Sequence, residues 1–144
     1  MENQTKNHLQ QLFLRIALSV TLLSAVADRL GFWGKNSNWG NWTNFENYTR
    51  ELTFFLPQSL SVFSAYTATL LETVLAITLL IGFKTKISAF SAGILLLVFA
   101  FSMTFSIGVK PPLDYSVWVG SAAAFLLSTQ NQFKFSIDNK FINQ

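Results

Sequence analysis

Hydrophobic residues gather in four long stretches of the chain, with polar residues between them. The stretches run over about residues 10–30, 59–83, 87–109 and 115–129. A helix needs about 20 mostly apolar residues to cross a hydrocarbon core of roughly 30 Å, and open sheet edges cannot face lipid. The pattern therefore predicts an all-α integral membrane protein, with one four-helix bundle over residues 1–144.

Composition supports a membrane protein. Hydrophobic residues make up 51% of the chain and charged residues only 12%, which is unlike an ordinary soluble domain. Between Glu51 and Lys84 the only charged residue is Glu72, and between Lys86 and Lys110 there is none. The net charge of +3 comes from scattered Lys and Arg, so we expect lipid as a partner and no nucleic acid.

The residue types also limit the chemistry. The chain has no cysteine, and its one histidine, His8, lies in the polar N-terminal segment. Thiol–disulfide relays, iron–sulfur clusters, Cys/His zinc sites and a bis-histidine haem within one chain are therefore not expected, and we predict no metal site.

The distribution of basic residues predicts the topology. One side would hold Lys6, Arg15, Lys84, Lys86, Lys134 and Lys140, and the other Arg29, Lys35, Arg50 and Lys110. The positive-inside rule then favours both termini, with a tail over 130–144, in the cytoplasm. A charged start and the small residues "SAVAD" also fit a signal peptide cleaved after Ala27, but we favour a retained first helix.

The outer connection, residues 31–58, is too long for a simple turn and is rich in Asn and aromatic residues. Thr43 and Glu46 match a capping box, which predicts a short amphipathic helix at about Asn44 to Leu56, parallel to the membrane. Its apolar face would carry Phe45, Tyr48, Leu52 and Phe55. This helix is either an aromatic anchor in the headgroup zone or a lid over the mouth of the bundle.

Four polar residues are predicted to lie near the outer face because they flank the first and fourth helices: Asp28, Arg29, Asp114 and Tyr115. Arg29 could then pair with Asp28 or Asp114. Alternatively, these are separate charges at the interface, with Asp114 acting only as a cap for the fourth helix.

Glu72 is the only acid inside a hydrophobic stretch. It lies about 14 residues into its helix, and hence about 20 Å below the outer end. Small residues lie on the same face of its helix, so the Glu72 side chain should face protein. We expect it to be a neutral acid bonded to a ligand or to a neighbouring hydroxyl. The candidate hydroxyls are Ser19, Thr21, Ser24, Ser102 and Thr104. Its role is either structural or one of proton exchange or ligand binding.

Four segments together resemble the DoxX family of small membrane proteins: "SAVADRLGFWG", "LETVLAITLLIGFKTK", "FSMTFSIGVKPPLDYSV" and "FSID". The similarity extends over about residues 12–138. It implies a four-helix protein of the bacterial inner membrane in a family linked to redox systems, in which some relatives resemble subunits of a thiosulfate:quinone oxidoreductase. It marks Glu72 as the family's intramembrane acid and Asp114 as the acid before helix four, without giving either a role.

Three functions follow as hypotheses. The resemblance and the buried acid favour an accessory or quinone-interacting subunit of a membrane redox system, which would serve an oxidoreductase without being an enzyme on its own. Glu72 as an ionisable group in the membrane also fits a small proton-coupled carrier. The third hypothesis is a non-catalytic membrane assembly protein in which Glu72 only holds helices together.

Overall fold

The computed structural model describes the backbone of residues 2–142 and the side chains of residues 8–139. Every regular element in that range is a helix, which confirms the all-α prediction. The helices are α1 (Glu2–Arg29), α2 (Trp42–Leu52), α3 (Gln58–Ile81), α4 (Thr85–Ile107), α5 (Lys110–Asp114), α6 (Val117–Ser128) and α7 (Ile137–Ile142), with a short 3-10 turn at Gly34–Asn36.

Three helices are long and apolar enough to cross a membrane: the part of α1 from His8 to Arg29, all of α3 and all of α4. Helix α6 is also apolar but has only 12 residues. At 1.5 Å per residue it is about 18 Å long, which is less than the roughly 30 Å of a hydrocarbon core. The chain is thus a multi-pass membrane protein, and its fourth span stays a prediction.

Small side chains bring α1 and α3 together. Ala65 and Ala76 of α3 have no exposed surface, and Ser61 is also buried. The hydroxyl of Ser19 in α1 donates a 2.6 Å hydrogen bond to the carbonyl of Ala76. Contact at small residues is how helices associate in lipid, where the hydrophobic effect offers little drive. The small-residue stripe predicted for α3 therefore faces protein.

Helices α4 and α6 form the second close pair. The hydroxyl of Ser121 donates a 2.8 Å hydrogen bond to the carbonyl of Gly93, and Ala124 is fully buried. The Phe125 ring packs so closely on Gly93 that an added Cβ there would lie 2.8 Å from it. Ala124 therefore faces protein, whereas Ser116, just before α6, is exposed. The bundle thus consists of an α1–α3 pair and an α4–α6 pair.

Arg15 joins the two pairs at one end of the bundle. Its side chain is only 3% exposed although it lies within a span. The guanidinium donates to the carbonyls of Leu79 at 2.8 Å, Leu80 at 3.2 Å and Phe135 at 2.7 Å. The first two carbonyls belong to the last turn of α3, where helix carbonyls have no partner within the helix. Arg15, predicted only as a topology signal, is therefore a clamp between α3 and the C-terminal tail.

The tail also caps α4. The carboxylate of Asp138 accepts hydrogen bonds from the backbone N–H groups of Lys84, at 2.6 Å, and Thr85, at 2.7 Å. Its own backbone N–H donates to the carbonyl of Gly82 at 3.0 Å. A carboxylate is favoured at a helix N-terminus because it satisfies free N–H groups there. The "FSID" segment thus ties the tail to the α3–α4 turn.

The tail and the N-terminal half of α1 lie at the same end of the bundle. The Gln11 side chain donates a 3.2 Å hydrogen bond to the Gln130 side chain, and Arg15 reaches Phe135. The described start of α1 and the described tail therefore lie at one end of the bundle, and the side of the membrane stays a prediction. Two of the lysines used for that prediction, Lys6 and Lys140, have side chains outside the described residues.

A helix lies in the long connection, but its bounds differ from the prediction. Helix α2 begins after Asn41, whose side chain accepts a 2.9 Å hydrogen bond from the N–H of Asn44. The capping box predicted at Thr43 and Glu46 is wrong because Asn41 already provides the cap two residues earlier. The helix ends at Leu52, four residues before the predicted end.

We predict that Gly82→Ala destabilises the protein more than Gly34→Ala. Both glycines have positive φ, at +70° and +54°, so both substitutions carry the roughly 1 kcal/mol cost of left-handed backbone. A Cβ on Gly82 would also lie 2.4 Å from the Cβ of Ser136 and 2.9 Å from the Arg15 guanidinium, whereas one on Gly34 meets nothing within 4 Å. Thermal unfolding in detergent measures both losses, and equal losses would contradict the clamp.

Candidate functional site

Glu72 forms an ion pair with Arg29. The pair joins the middle of α3 to the last residue of α1 through Arg29 Nη1 and Glu72 Oε2. Both residues are buried, at 3% exposure for Arg29 and 2% for Glu72. The hydroxyl partners predicted for Glu72 are therefore wrong. An arginine partner also removes the reason for expecting a neutral acid, since a guanidinium is always charged.

The depth of the two helices explains why the pair forms. Ser19 lies level with Ala76 in the antiparallel α1–α3 pair. Measured from that level toward the end of α1, Arg29 lies about 15 Å along α1 and Glu72 lies about 6 Å along α3. Two long side chains that point toward each other bridge the remaining roughly 9 Å. The sequence prediction placed Arg29 at the outer end of the bundle, whereas α1 stops about six residues past the level of Glu72 and α3 continues from there back to Gln58.

Polar and aromatic groups surround the Arg29 guanidinium. Nη1 donates a 2.8 Å hydrogen bond to the hydroxyl of Thr69, one turn from Glu72. The guanidinium carbon lies 3.9 Å from the ring centroid of Phe45 and 5.5 Å from that of Trp39. These are cation–π distances, and such contacts strengthen when water is excluded. Arg29 Nε is buried and has no hydrogen-bond partner among the described residues.

Asp28 anchors the connection instead of pairing with Arg29. Its two carboxylate oxygens accept hydrogen bonds from the backbone N–H groups of Asn38, at 2.8 Å, Trp39, at 2.8 Å, and Gly40, at 3.2 Å. The prediction that Arg29 pairs with Asp28 or Asp114 is therefore wrong. Three bonds to one carboxylate fold the chain back, so that Trp39 and α2 lie against the end of α1.

Asp114 and Tyr115 do not join this pair. Asp114 is exposed and pairs with Lys110 one turn earlier, so it does not cap α6. Tyr115 is 64% exposed and lies close to Tyr48 of α2. Burial, with smaller effects from Tyr115 and Glu51, raises the pKa of Tyr48 to about 12. The Tyr48 phenol is therefore a hydrogen-bond donor at neutral pH.

A central cavity of about 950 Å³ adjoins the ion pair. One face each of α1, α3, α4 and α6 forms its walls, and α2 lies across one end with Phe45, Tyr48 and Leu52. Most lining side chains are apolar, and Arg29 and Glu72 are the only charged residues among them in the described part of the chain. Its size is near the upper end of the roughly 300–1,000 Å³ typical of small-molecule sites.

The arrangement of α2 supports the second reading of the predicted amphipathic helix, a lid over the mouth of the bundle. Phe45 is buried, Tyr48 and Leu52 are half-buried, and all three face the cavity. Phe55 is 67% exposed and follows the end of the helix. The apolar face of α2 therefore covers the mouth of the bundle. Its orientation relative to the membrane stays a prediction.

Comparison with known families finds a match over the part of the chain that holds the first three long helices. The DoxX family model matches residues 10–105, well over half of the chain. The chain belongs to the DoxX family. The matched part of this DoxX protein includes Arg29, Glu72, α2 and nearly all of α4, and it leaves out Asp114, Tyr115 and the tail. No curated protein and no solved structure matches the chain.

Several residues of this DoxX site were missed by sequence reasoning. Phe45 was placed on an apolar face, but its contact with a guanidinium depends on how the loop folds back. Thr69 carried no signal among several hydroxyls in α3. Arg15, at the other end of the bundle, did carry a signal in the sequence. A charge within a hydrophobic stretch is costly and is usually paired or functional.

We predict that Asp28→Asn loosens the connection between α1 and α2 in this DoxX protein. An asparagine offers one acceptor oxygen and turns a donor toward the three N–H groups, so at least one of them loses its partner at a cost of about 1–3 kcal/mol. Hydrogen exchange of the Asn38, Trp39 and Gly40 amides should become faster. Glu46→Gln is the matched control because it removes the same charge from a half-buried pair with Arg50 that makes no contact with the loop amides. Unchanged exchange at these amides would refute the anchor.

Proposed function

We propose that this protein is an accessory, quinone-interacting subunit of a membrane redox system. The observation that carries the proposal is the apolar cavity beside the buried Arg29–Glu72 pair. A quinone is a neutral ring with two carbonyl oxygens and an apolar tail. Such a molecule needs an apolar space with a few hydrogen-bond donors, which is the usual composition of a small-molecule site.

Two donors at the cavity suit a carbonyl oxygen. Arg29 Nε is buried without a partner among the described residues, and the guanidinium is held in place by Glu72, Thr69 and Phe45. The Tyr48 phenol, on α2 across the end of the cavity, is a second donor. A fixed, partly unsatisfied donor favours a ligand with an acceptor, because an unpaired buried polar group costs about 1–3 kcal/mol.

The proposal assigns electron transfer to a partner. The chain has no cysteine and one histidine, so its own side chains offer few ligands for a redox centre. We therefore propose a membrane or peripheral oxidoreductase as the partner, with this chain binding quinone or positioning it. We place the protein in a bacterial inner membrane with both termini in the cytoplasm, in accord with their common end of the bundle.

The proton-coupled carrier is a weaker alternative. It requires Glu72 to exchange a proton during transport, whereas Arg29 holds Glu72 in a buried ion pair. The assembly protein has more support, since Arg15 and Asp28 fix both ends of the bundle through several hydrogen bonds each. A filled cavity separates this alternative from the quinone proposal, because a packing protein needs no ligand.

We predict that Ala68→Phe abolishes quinone binding while Ala122→Phe leaves it intact. Ala68 lines the cavity on α3, so a benzyl group there takes up space that the ligand needs. Ala122 is exposed on α6 and is not part of the lining, so it controls for the added ring. The measurement is titration of the purified protein in nanodiscs with a short-tailed benzoquinone, followed by tryptophan fluorescence. Equal binding by both variants, or no binding by the unaltered protein, would contradict the proposal.

A further inference from the structure

We infer that the cavity is selective for uncharged lipids, and that Glu72 sets this selectivity by neutralising Arg29. The inference rests on the proposed function, since it requires that the cavity binds a ligand. It extends that function by naming the ligand class: a neutral molecule with an apolar tail and a headgroup that accepts hydrogen bonds. Lipids of the same length with an anionic headgroup are excluded.

Specific contacts lie at both ends of the cavity. At one end, Asp28 fixes residues 38–40, and the Thr53 hydroxyl donates a 2.8 Å hydrogen bond to Ser61 of α3. At the other end, Arg15 binds Phe135, and Phe133 is only 7% exposed. The loop and the tail thus pack against the two ends of the bundle.

The sides of the cavity face lipid. Four residues of its lining are also exposed at the surface of the bundle: Phe63 (67%), Leu71 (42%), Val98 (53%) and Val119 (67%). They belong to α3, α4 and α6, and all are apolar. Between the two helix pairs, the cavity thus meets hydrocarbon chains rather than water. An occupant reaches it from the bilayer, and this makes a lipid the natural ligand class.

The charge of the cavity decides which headgroup fits. Arg29 and Glu72 together contribute no net charge, and no other charged residue lines the cavity in the described part of the chain. A neutral headgroup can accept a hydrogen bond from Arg29 Nε without adding charge. An anionic headgroup would add a charge without a counterion in a region away from water, which is strongly unfavourable.

The same reasoning predicts what happens when Glu72 loses its charge. In Glu72→Gln the side chain keeps its size, but Arg29 is left as an unpaired cation. The cavity then has a net positive charge, and an anionic lipid supplies the missing counterion. The preference between neutral and anionic ligands should therefore invert, which a purely structural role for Glu72 does not predict.

The experiment compares two probes that differ only in the headgroup: a brominated fatty acid at a pH where it is ionised, and its methyl ester. Each is titrated into the protein in nanodiscs of uncharged lipid, and quenching of Trp39 and the other tryptophans reports binding. In the unaltered protein the ester should bind about tenfold tighter or more, which equals about 1.4 kcal/mol. In Glu72→Gln the acid should bind tighter than the ester.

Glu51→Gln is the matched control. It removes one negative charge from the exposed side of α2, outside the cavity lining, and should leave the preference for the ester unchanged. If Glu72→Gln does not fold, the double variant Arg29→Gln with Glu72→Gln replaces it. That cavity is again neutral, so the ester should remain preferred.

The outcomes separate the inference from the function on which it rests. Equal binding of both probes by the unaltered protein overturns the inference, while the cavity remains a binding site. A Glu72→Gln protein that still prefers the ester, or a double variant that prefers the acid, also overturns it. If neither probe binds the unaltered protein, the inference and the proposed function both fail.

Discussion

This structure depends on one constraint. A guanidinium and a carboxylate share a single site inside a lipid-facing bundle. Either charge alone would be costly in the membrane, whereas together Arg29 and Glu72 are neutral and hydrogen-bonded. The pair can form because α1 ends only about 9 Å beyond the level of Glu72, within reach of two long side chains. That leaves the first turns of α3 without α1 beside them, and the end of α2 packs there through the Thr53–Ser61 hydrogen bond. The Phe45 ring and the Asp28 anchor then exclude water from the charges.

The cavity follows from the same arrangement. Small residues pack α1 on α3 and α4 on α6, and toward the tail the two pairs share one hydrophobic core that includes Leu18, Leu79 and Leu127. An apolar space remains between them, and the ion pair lies on its wall. The features that stabilise the buried charges, namely a fixed guanidinium and a cover of aromatic rings, are also those that make a binding site for a neutral molecule with an acceptor atom.

The sequence predicted the parts of the fold that depend on local pattern. Hydrophobic length and the gaps between charges located α3 and α4 to within three residues at each end, and the alanine and serine spacing identified the protein-facing side of α3. The partner of Glu72 could not be predicted in this way. It depends on the relative depth of α1 and α3, a long-range feature that the Ser19–Ala76 contact reflects and that has no sequence periodicity. The role of Asp138 was missed for the same reason.

The most direct test of this account is a double-mutant cycle on the free energy of unfolding in mixed micelles, with Arg29→Gln, Glu72→Gln and the double variant. If the two residues form a buried ion pair, each single variant leaves an uncompensated charge and loses about 3–5 kcal/mol. The double variant, which leaves no charge, should then lose much less than the sum of the two. Additive losses, with no coupling between the residues, would contradict the pair and the cavity chemistry built on it.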